Sequence, residues 1–459
     1  MWGRLLLLAA LGFVLGASDE AYAPGTTGTL EGRVGGKRTL VLLDDWVTTG
    51  THSSFLGSLE TRGHSLTYAM ADEEFKLQDF GEFLFDNIMV MAPGLHREAA
   101  KDIISFVTGG GNAMVFASTD SGEGMRELGS LAGVRFDDKG TQVIDHFAYR
   151  DGLEVSAPAH TVIETGELLN NQLLLGRDAG KFKPILYSGI GHQVNEDNVL
   201  AARVLTGSST AYSAAPGAPV SDFPESAGKN TLLVSAIQGR NNMRMIYSGS
   251  LSMCSNRYAA APDTGNAAFC DELSKWALGE RGILRATSIM HRREDGSAAE
   301  LLLHQKERRD LPASLFPEPE IAKNSQVYRV MDRIKYSMTI EEYNQENGGW
   351  GPFAASDVQL EFIMLDPFER ITLENNPSTG LFHTTFQVPD TYGIFKFRVL
   401  YRRVGYTVLD ASTQVSLRPY KHDEFERFIT AAFPYYTAAF SIMAGFFAFT
   451  GLFLYSSDK

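Results

Sequence analysis

The chain is poor in cysteine, since Cys254 and Cys270 are the only two among 459 residues. There is no Cys-x-x-Cys pair and no His-Glu-x-x-His motif, so the sequence gives no support for a structural or catalytic zinc site. In an oxidising compartment the two thiols can form one disulfide across a short loop, which contributes about 3 kcal/mol in the chain-entropy model. Two separate buried thiols are the alternative.

Positive charge is also in deficit. Lys and Arg number 41 against 55 Asp and Glu, a formal net charge of −14. Nucleic-acid binding needs a basic face, so this balance argues against nucleic acid as a partner. The chain has no acceptor sequon for N-linked glycans either, because the one near match, Asn376-Pro377-Ser378, has proline in the forbidden position.

Long apolar runs occur only at the two ends. The run Leu5–Leu15 follows a basic start and precedes small residues, which is typical of a cleavable signal peptide. The run Thr437–Tyr455 carries no charge and is long enough to cross about 30 Å of hydrocarbon as a helix. A buried core helix is the alternative. A removed signal and one late span predict a single-pass type I membrane protein whose bulk is lumenal.

The same apolar run is rich in small residues. Ala444, Gly445, Ala448 and Gly451 would let another helix approach closely. We therefore expect a docking helix and not only a lipid anchor.

Strand and helix alternate after residue 37. Apolar strands are expected at Thr39–Asp45, Ser65–Met70, Ile88–Ala92 and Ala113–Ala117. Helical spacing of apolar residues occurs between them, at Ser53–Leu59, Leu77–Leu84 and Ala100–Val107. Strands that are apolar throughout indicate a parallel sheet covered on both faces, as in flavodoxin-like and amidotransferase-like α/β folds.

The alternation loosens after Asp151 and continues as a second α/β unit. The segment Arg308–Pro319 has three prolines among charged residues, which indicates that it is part of a linker. Beyond it the period becomes two, as in Phe395, Phe397 and Val399, which predicts an antiparallel β-sandwich. The expected organisation is a signal peptide (1–17), a flexible leader (18–36), a first α/β domain (37–150), a second α/β unit (151–285), a linker (286–326), the β-sandwich (327–420), a juxtamembrane segment (421–436), the transmembrane helix (437–455) and a cytoplasmic tail (456–459).

Ligands of open α/β sheets bind at the carboxyl ends of strands, which makes Asp44 and Asp45 candidates for holding a metal or acting as a base. The alternative is that they accept hydrogen bonds from loop N–H groups and start the next helix. Ser208 and Ser209 belong to a second polar cluster, which extends to Gln238 and Asn242 and could line a groove or serve turns.

Catalytic motifs are not found. The strand Ile88–Ala92 turns without the cysteine of an amidotransferase elbow, and there is no Gly-x-Ser-x-Gly. His146 follows Asp145, but neighbouring residues of a strand point to opposite faces, so we expect a structural histidine.

A series of short motifs runs through the chain in one order: TLVLLDD, GEFLFDN, RELGS, VIDH, LTGSSTAYS, GKNTLLVSAIQGRNN, SGSL, DVQLEF, LDPF, PDTYGIFKF, GYT, STQVSLRP, ERFI, PYY and AFS. From about Thr39 to Ser441 the chain thereby resembles the family of 48 kDa subunits of the eukaryotic oligosaccharyltransferase.

The resemblance implies a non-catalytic accessory subunit of an endoplasmic reticulum membrane complex, which transfers oligosaccharide from a dolichol diphosphate carrier to asparagine. It implies that another, multi-pass subunit performs the chemistry, and that the partners are the other subunits and the lipid bilayer. No cofactor is implied. The tail lacks the paired lysines that some family members carry as a retrieval signal, so retention would depend on partners. The rival hypothesis is a lumenal enzyme or module that binds a glycan or nucleotide at the carboxyl edge of the α/β sheet.

Overall fold

The structure is a computed structural model that describes residues 36–456, apart from 74, 81, 154–158, 177–180, 196–197, 218–222, 297–299, 302–325, 345–348 and 426–429. The expected signal peptide, most of the leader and the tail, and the Arg308–Pro319 linker therefore lie outside the described residues.

The N-terminal part alternates strands and helices. Its strands are β1 (Arg38–Leu43), β2 (Ser65–Met70), β3 (Gln78–Asp79), β4 (Glu82–Phe83), β5 (Asn87–Met91), β6 (Asn112–Phe116), β7 (Val134–Phe136), β8 (Gln142–Ile144), β9 (Ile163–Thr165), β10 (Ile185–Tyr187), β11 (His192–Val194), β12 (Ala201–Thr206), β13 (Tyr212–Ala214), β14 (Leu232–Gln238) and β15 (Arg244–Ser248). Its helices are α1 (Val47–Thr51), α2 (Ser53–Thr61), α3 (Arg97–Thr108), α4 (Glu123–Leu131), α5 (Gln172–Leu175), α6 (Asn256–Ala259) and α7 (Asn266–Ala277).

Nine of these strands form one sheet, in the order β2-β1-β5-β6-β15-β14-β11-β7, with β12 also beside β14. The first five in this order run parallel, whereas β14 is antiparallel to β15. Strands from before and after residue 151 thus share one sheet. It is mixed, because a short turn reverses the chain between β14 and β15, while the parallel strands are joined by longer crossover connections.

Both faces of this sheet are covered, which explains the continuous apolar strands. Alternate residues of β1 face opposite layers, with Val41 and Leu43 in one core and Leu40 and Leu42 in the other. Helices α2 and α7 pack on the first face, and α3 and α4 on the second.

Cys254 and Cys270 are joined by a disulfide, with Cα atoms 5.9 Å apart. Cys254 ends a short 3-10 turn after β15, and Cys270 lies in α7. The bond therefore holds α7 against the end of the sheet.

The expected helix over Leu77–Leu84 is wrong. This segment forms the two-residue strands β3 and β4, which pair with each other. Leu77 is buried but Phe80 is fully exposed and has φ 48, so the three apolar residues do not share a helical face. The positive φ of Phe80 reverses the chain between the two strands, which the apolar spacing does not reveal.

The C-terminal part contains β16 (Arg281–Arg293), β17 (Glu300–Leu301), β18 (Gln326–Arg329), β19 (Arg333–Asn344), β20 (Gly349–Pro352), β21 (Gln359–Ile363), β22 (Pro367–Thr372), β23 (Glu374–Asn376), β24 (Leu381–Gln387), β25 (Gly393–Tyr401) and β26 (Leu409–Arg418). One sheet has the order β16-β19-β24-β23 with β20 beside β19, and the other has the order β17-β18-β26-β25-β21-β22. Every pair is antiparallel except β18 with β26. Strand β16 crosses the boundary expected between residues 285 and 286.

The two C-terminal sheets share one aromatic-rich core. Period-two alternation buries Phe395, Phe397 and Val399 of β25, and Phe362 of β21 stacks on Phe395 with ring centroids 4.6 Å apart. The expected fold class is confirmed: an α/β region, a β-sandwich and one C-terminal apolar helix, α8 (Phe433–Tyr455).

Arg244 of β15 joins the α/β region to the sandwich. Its guanidinium is buried and donates to the carbonyl oxygens of Trp276, Arg281, Gly282 and Gly405 at 2.7 to 3.3 Å. Burial, helped by the charge of Arg281, lowers the pKa of Arg244 to about 9, so it still carries its charge at neutral pH. Gly405 lies in the β25–β26 loop, so this loop packs against the α/β region.

Replacing Arg244 by Met should lower the free energy of unfolding of the full chain in detergent by about 3–5 kcal/mol, since four buried carbonyl oxygens lose a charged donor. Urea titration followed by near-UV circular dichroism measures this. The matched control is Arg240→Met, at an exposed turn position, which should stay within about 0.5 kcal/mol. Equal values for the two variants would contradict the assigned role.

Candidate functional site

The two aspartates after β1 are used by the backbone around them. Asp44 Oδ2 accepts from Gly94 N at 2.6 Å, and Asp45 Oδ1 accepts from Val47 N at 3.0 Å. The pKa of Asp44 is raised, mainly by burial. The hydrogen bond from Gly94 lowers the pKa in part, and the negative charge of nearby Asp72 raises it further. Asp44 thereby joins two loops, and Asp45 binds the first backbone N–H of α1. Both contacts agree with the alternative that these carboxylates accept hydrogen bonds from loop N–H groups and start the next helix.

The carboxyl end of β15 is closed by the chain itself. A Cβ added to Gly249 would lie 1.9 Å from the carbonyl oxygen of Ile190, and Ile190 N donates to Gly249 O at 2.9 Å. The Tyr187 hydroxyl also donates to that Ile190 carbonyl, at 2.6 Å. The centre of the carboxyl edge is therefore packed backbone, with no room there for a ligand.

Ser208 belongs to a polar cluster built on Asp145. Ser208 and Thr210 both donate to the Asp145 carboxylate, the latter at 2.9 and 3.0 Å, and the N–H groups of Phe147 and Ala148 donate at 2.9 and 3.1 Å. Burial alone would raise the pKa of Asp145, but these donors together lower it. A carboxylate that already accepts four donors is a poor base, so the cluster fastens two loops. Ser209 is exposed beside it.

The ring nitrogens of His146 contact His160 and Tyr212. Its Nδ1 lies 2.7 Å from Nδ1 of His160, and its Nε2 lies 2.9 Å from the Tyr212 hydroxyl. The His160 ring in turn stacks on Tyr149, with centroids 3.8 Å apart. Because His146 does not bridge Ser208 and Asp145, these residues do not form a Ser-His-Asp relay.

The structure does not bring the two candidate clusters together. Four strands, β5, β6, β15 and β14, separate β1 from β12, which precedes Ser208. Five inter-strand steps of about 4.8 Å place them about 24 Å apart. Gln238 and Asn242 lie at the opposite end of β14, where they bond to the backbone of Tyr406 and Val408. They belong to the contact with the sandwich and not to a groove with Ser208.

Sequence reasoning missed the charged end of the sandwich. A cavity of about 400 Å³ there is lined by Arg293, Glu294, Asp295, Arg329, Asp332, Arg333 and Glu424. The charges are largely paired, since Asp332 accepts from Arg293 at 2.9 Å and Arg329 at 3.1 Å, and Arg333 lies 3.3 Å from Glu294. These residues come from three segments that are distant in sequence, and no local pattern shows that the segments meet.

Across the described ranges, no three His, Cys, Asp or Glu side chains lie close enough to hold a metal ion. The remaining candidate is the apolar helix. Thr430–Tyr455 is long and apolar enough to cross a membrane, and no part of its apolar window is buried against the rest of the described chain. Ala444, Gly445, Ala448 and Gly451 lie on one side of α8, at helical spacing, while Phe446, Phe449 and Phe453 lie on the other.

The chain was compared with known proteins. The family model for the OST48 N-terminal domain matches residues 31–280, and that for the OST48 middle domain matches residues 317–457. Three similar proteins carry the name dolichyl-diphosphooligosaccharide--protein glycosyltransferase 48 kDa subunit. The one from Danio rerio is 38% identical over 94% of both chains, and that from Drosophila melanogaster is 39% identical over 92% of both. The one from Arabidopsis thaliana is 37% identical over 91% of this chain and 93% of its own. On these matches, the chain is a member of the OST48 family.

Proposed function

We propose that this chain is a non-catalytic accessory subunit of the oligosaccharyltransferase complex in the endoplasmic reticulum membrane. It supports the assembly and stability of the complex, which transfers oligosaccharide from a dolichol diphosphate carrier to asparagine. The observation that carries the proposal is similarity to subunits of that name over more than nine-tenths of the chain. We propose that the catalytic centre lies on another, multi-pass subunit.

The candidate carboxylates support a non-catalytic role. Asp44 and Asp45 each accept a backbone hydrogen bond, and Asp145 is saturated by donors. Asp145 therefore has no lone pair left for a substrate proton and is a poor general base, whereas the loop contacts of Asp44 and Asp45 explain those two carboxylates without a catalytic role. We further propose that α8 spans the bilayer in type I orientation, so that the α/β region and the sandwich are lumenal and contact the other subunits. Retention would then depend on those partners.

Depletion of the protein should lower N-glycosylation of many secreted glycoproteins and reduce the amounts of partner subunits, because an incomplete assembly is exposed to degradation. Mobility shifts of reporter glycoproteins and quantitative immunoblots of co-purifying membrane proteins measure both effects. Re-expression of the intact chain is the control. Normal glycosylation together with unchanged partner levels would refute the accessory role.

The rival function, glycan or nucleotide binding at the carboxyl edge, is tested by Asp44→Ala with Asp45→Ala in the incorporated protein. We expect transfer activity of the purified complex to stay unchanged, since both carboxylates serve loops. The matched control is Asp79→Ala, an exposed carboxylate in β3. A selective loss of transfer activity in the double variant, with normal incorporation, would favour the rival.

We also propose that α8 is a docking helix. Its hydroxyls bond within the helix, with Ser441 donating to Ala438 O at 2.9 Å and Thr450 to Phe446 O at 2.8 Å. They are therefore poorly placed to bond to another helix. Close packing along the side formed by Ala444, Gly445, Ala448 and Gly451 is the remaining means of association.

Changing those four small residues to Leu should weaken co-purification of the other subunits, because added side chains prevent close approach of a second helix. A polyleucine replacement of the span should do the same, although membrane insertion survives. The matched control changes Phe446, Phe449 and Phe453 to Leu on the other side and should keep assembly. Equal co-purification in all variants would reduce α8 to an anchor.

A further inference from the structure

Three loops and the end of β26 converge at one end of the sandwich. The register places Arg329 of β18 beside Arg418 of β26, and Gly393 of β25 beside Leu417. It also pairs Ile363 of β21 with Lys396, and Arg333 of β19 with Gln387 of β24. The β18–β19 turn, the β21–β22 turn and the β24–β25 loop therefore lie at the end from which the chain leaves toward α8.

This end carries most of the sandwich's exposed apolar side chains. Seven large hydrophobic residues are exposed among the described residues of 281–420, and five of them lie here: Met331, Leu365, Phe368, Tyr392 and Ile394. We call these five the end patch. Leu365 is 89% exposed, Tyr392 69% and Ile394 57%. Exposure concentrated at loop ends marks an interaction surface, since single exposed apolar residues are normally scattered.

The turn that presents Met331 is firmly held. Asp332 accepts from Arg329 N at 3.0 Å and from Arg293 Nε at 2.9 Å, and Gln387 donates to Met331 O at 3.1 Å. Met331 itself has φ 63, a left-handed conformation that non-glycine residues seldom adopt. The fold thus keeps an apolar side chain exposed in a strained backbone conformation.

The chain between β26 and α8 is short and is attached to the same end. Arg418 pairs with Glu424 at 2.6 Å, Lys421 N donates to Glu424 at 2.8 Å, and Tyr420 packs 5.3 Å from Phe425. The helical stretch starts at Thr430, five residues beyond Phe425. Five residues extend at most about 17 Å. If α8 spans a bilayer, this end of the sandwich lies within that distance of its start.

From this placement we propose that the end patch inserts into the interfacial layer of the bilayer around α8. The arginines at this end add little attraction for an anionic surface, because Arg293 and Arg329 are paired with Asp332, and Arg333 and Arg418 with Glu294 and Glu424. The exposed Lys396 and Lys421 at the same end can contact the phosphate groups that phosphatidylcholine also carries. The lipid contact is therefore mainly apolar, and the exposed Tyr392 ring is suited to the interface. A neutral phosphatidylcholine bilayer suffices.

The test uses the full chain in phosphatidylcholine nanodiscs. Both native cysteines are buried and disulfide-bonded, so Leu365→Cys adds the only labelling site for an environment-sensitive fluorophore. We expect a blue-shifted emission and a loss of fluorescence with lipids that carry a nitroxide near the headgroup. The matched control is Val404→Cys, an exposed apolar position in the β25–β26 loop at the opposite end, which should show neither.

A label at Phe446→Cys, read with lipids that carry the nitroxide far down the acyl chain, reports independently on whether α8 lies in the bilayer. Quenching at 446 without quenching at 365 would overturn the end-patch proposal while leaving the span intact. Protection of the 365 label only when the other subunits are present would also overturn it, in favour of a protein contact. Quenching at 365 that requires anionic lipid would contradict the apolar contact.

Discussion

The buried Arg244 guanidinium holds together the parts of this molecule that could otherwise move independently. It lies in the last strand of the parallel array, beneath the Trp276 ring at 5.0 Å, and donates to the backbone on both sides of the junction. A charge in a low-dielectric site is tolerated only when its donors are satisfied, and here carbonyl oxygens supply that compensation. The sandwich loop that bears Gly405 must adopt one position to provide it. Trp276 Nε1 donates to the same Gly405 oxygen at 2.9 Å, which strengthens this constraint.

This junction gives the sandwich two functionally different ends. One end, the β25–β26 loop, seats on the α/β region through Gln238, Asn242 and Arg244. The other end lies beside the chain that leads to α8. Strand β25, with nine residues, connects the two ends and is about 30 Å long. The sandwich is thereby built as a rigid spacer between the α/β region and the start of the apolar helix.

The proposed accessory role agrees with how the polar side chains of the α/β region are used. Polar side chains that resemble active-site groups are engaged in holding loops: Asp44 with Gly94, Asp45 with Val47, and Asp145 with Ser208 and Thr210. The centre of the carboxyl edge is closed by the approach of Gly249 to Ile190. Among the described residues, the end of the sandwich and the sides of α8 both present exposed apolar side chains for contact.

The sequence by itself determined most element types, the apolar helix and the family, because these depend on local periodicity, run length and motif order. Strands β1, β2, β5 and β6 were predictable within a few residues from continuous apolar runs. The helix predicted at Leu77–Leu84 failed because Phe80 adopts a turn conformation that apolar spacing does not reveal. Only the tertiary structure decided that Asp44 and Ser208 lie far apart, that β14 reverses direction, and that Arg244 meets Gly405. Such pairings join residues distant in the chain, and their free energy comes from burial and hydrogen bonding that no local pattern encodes.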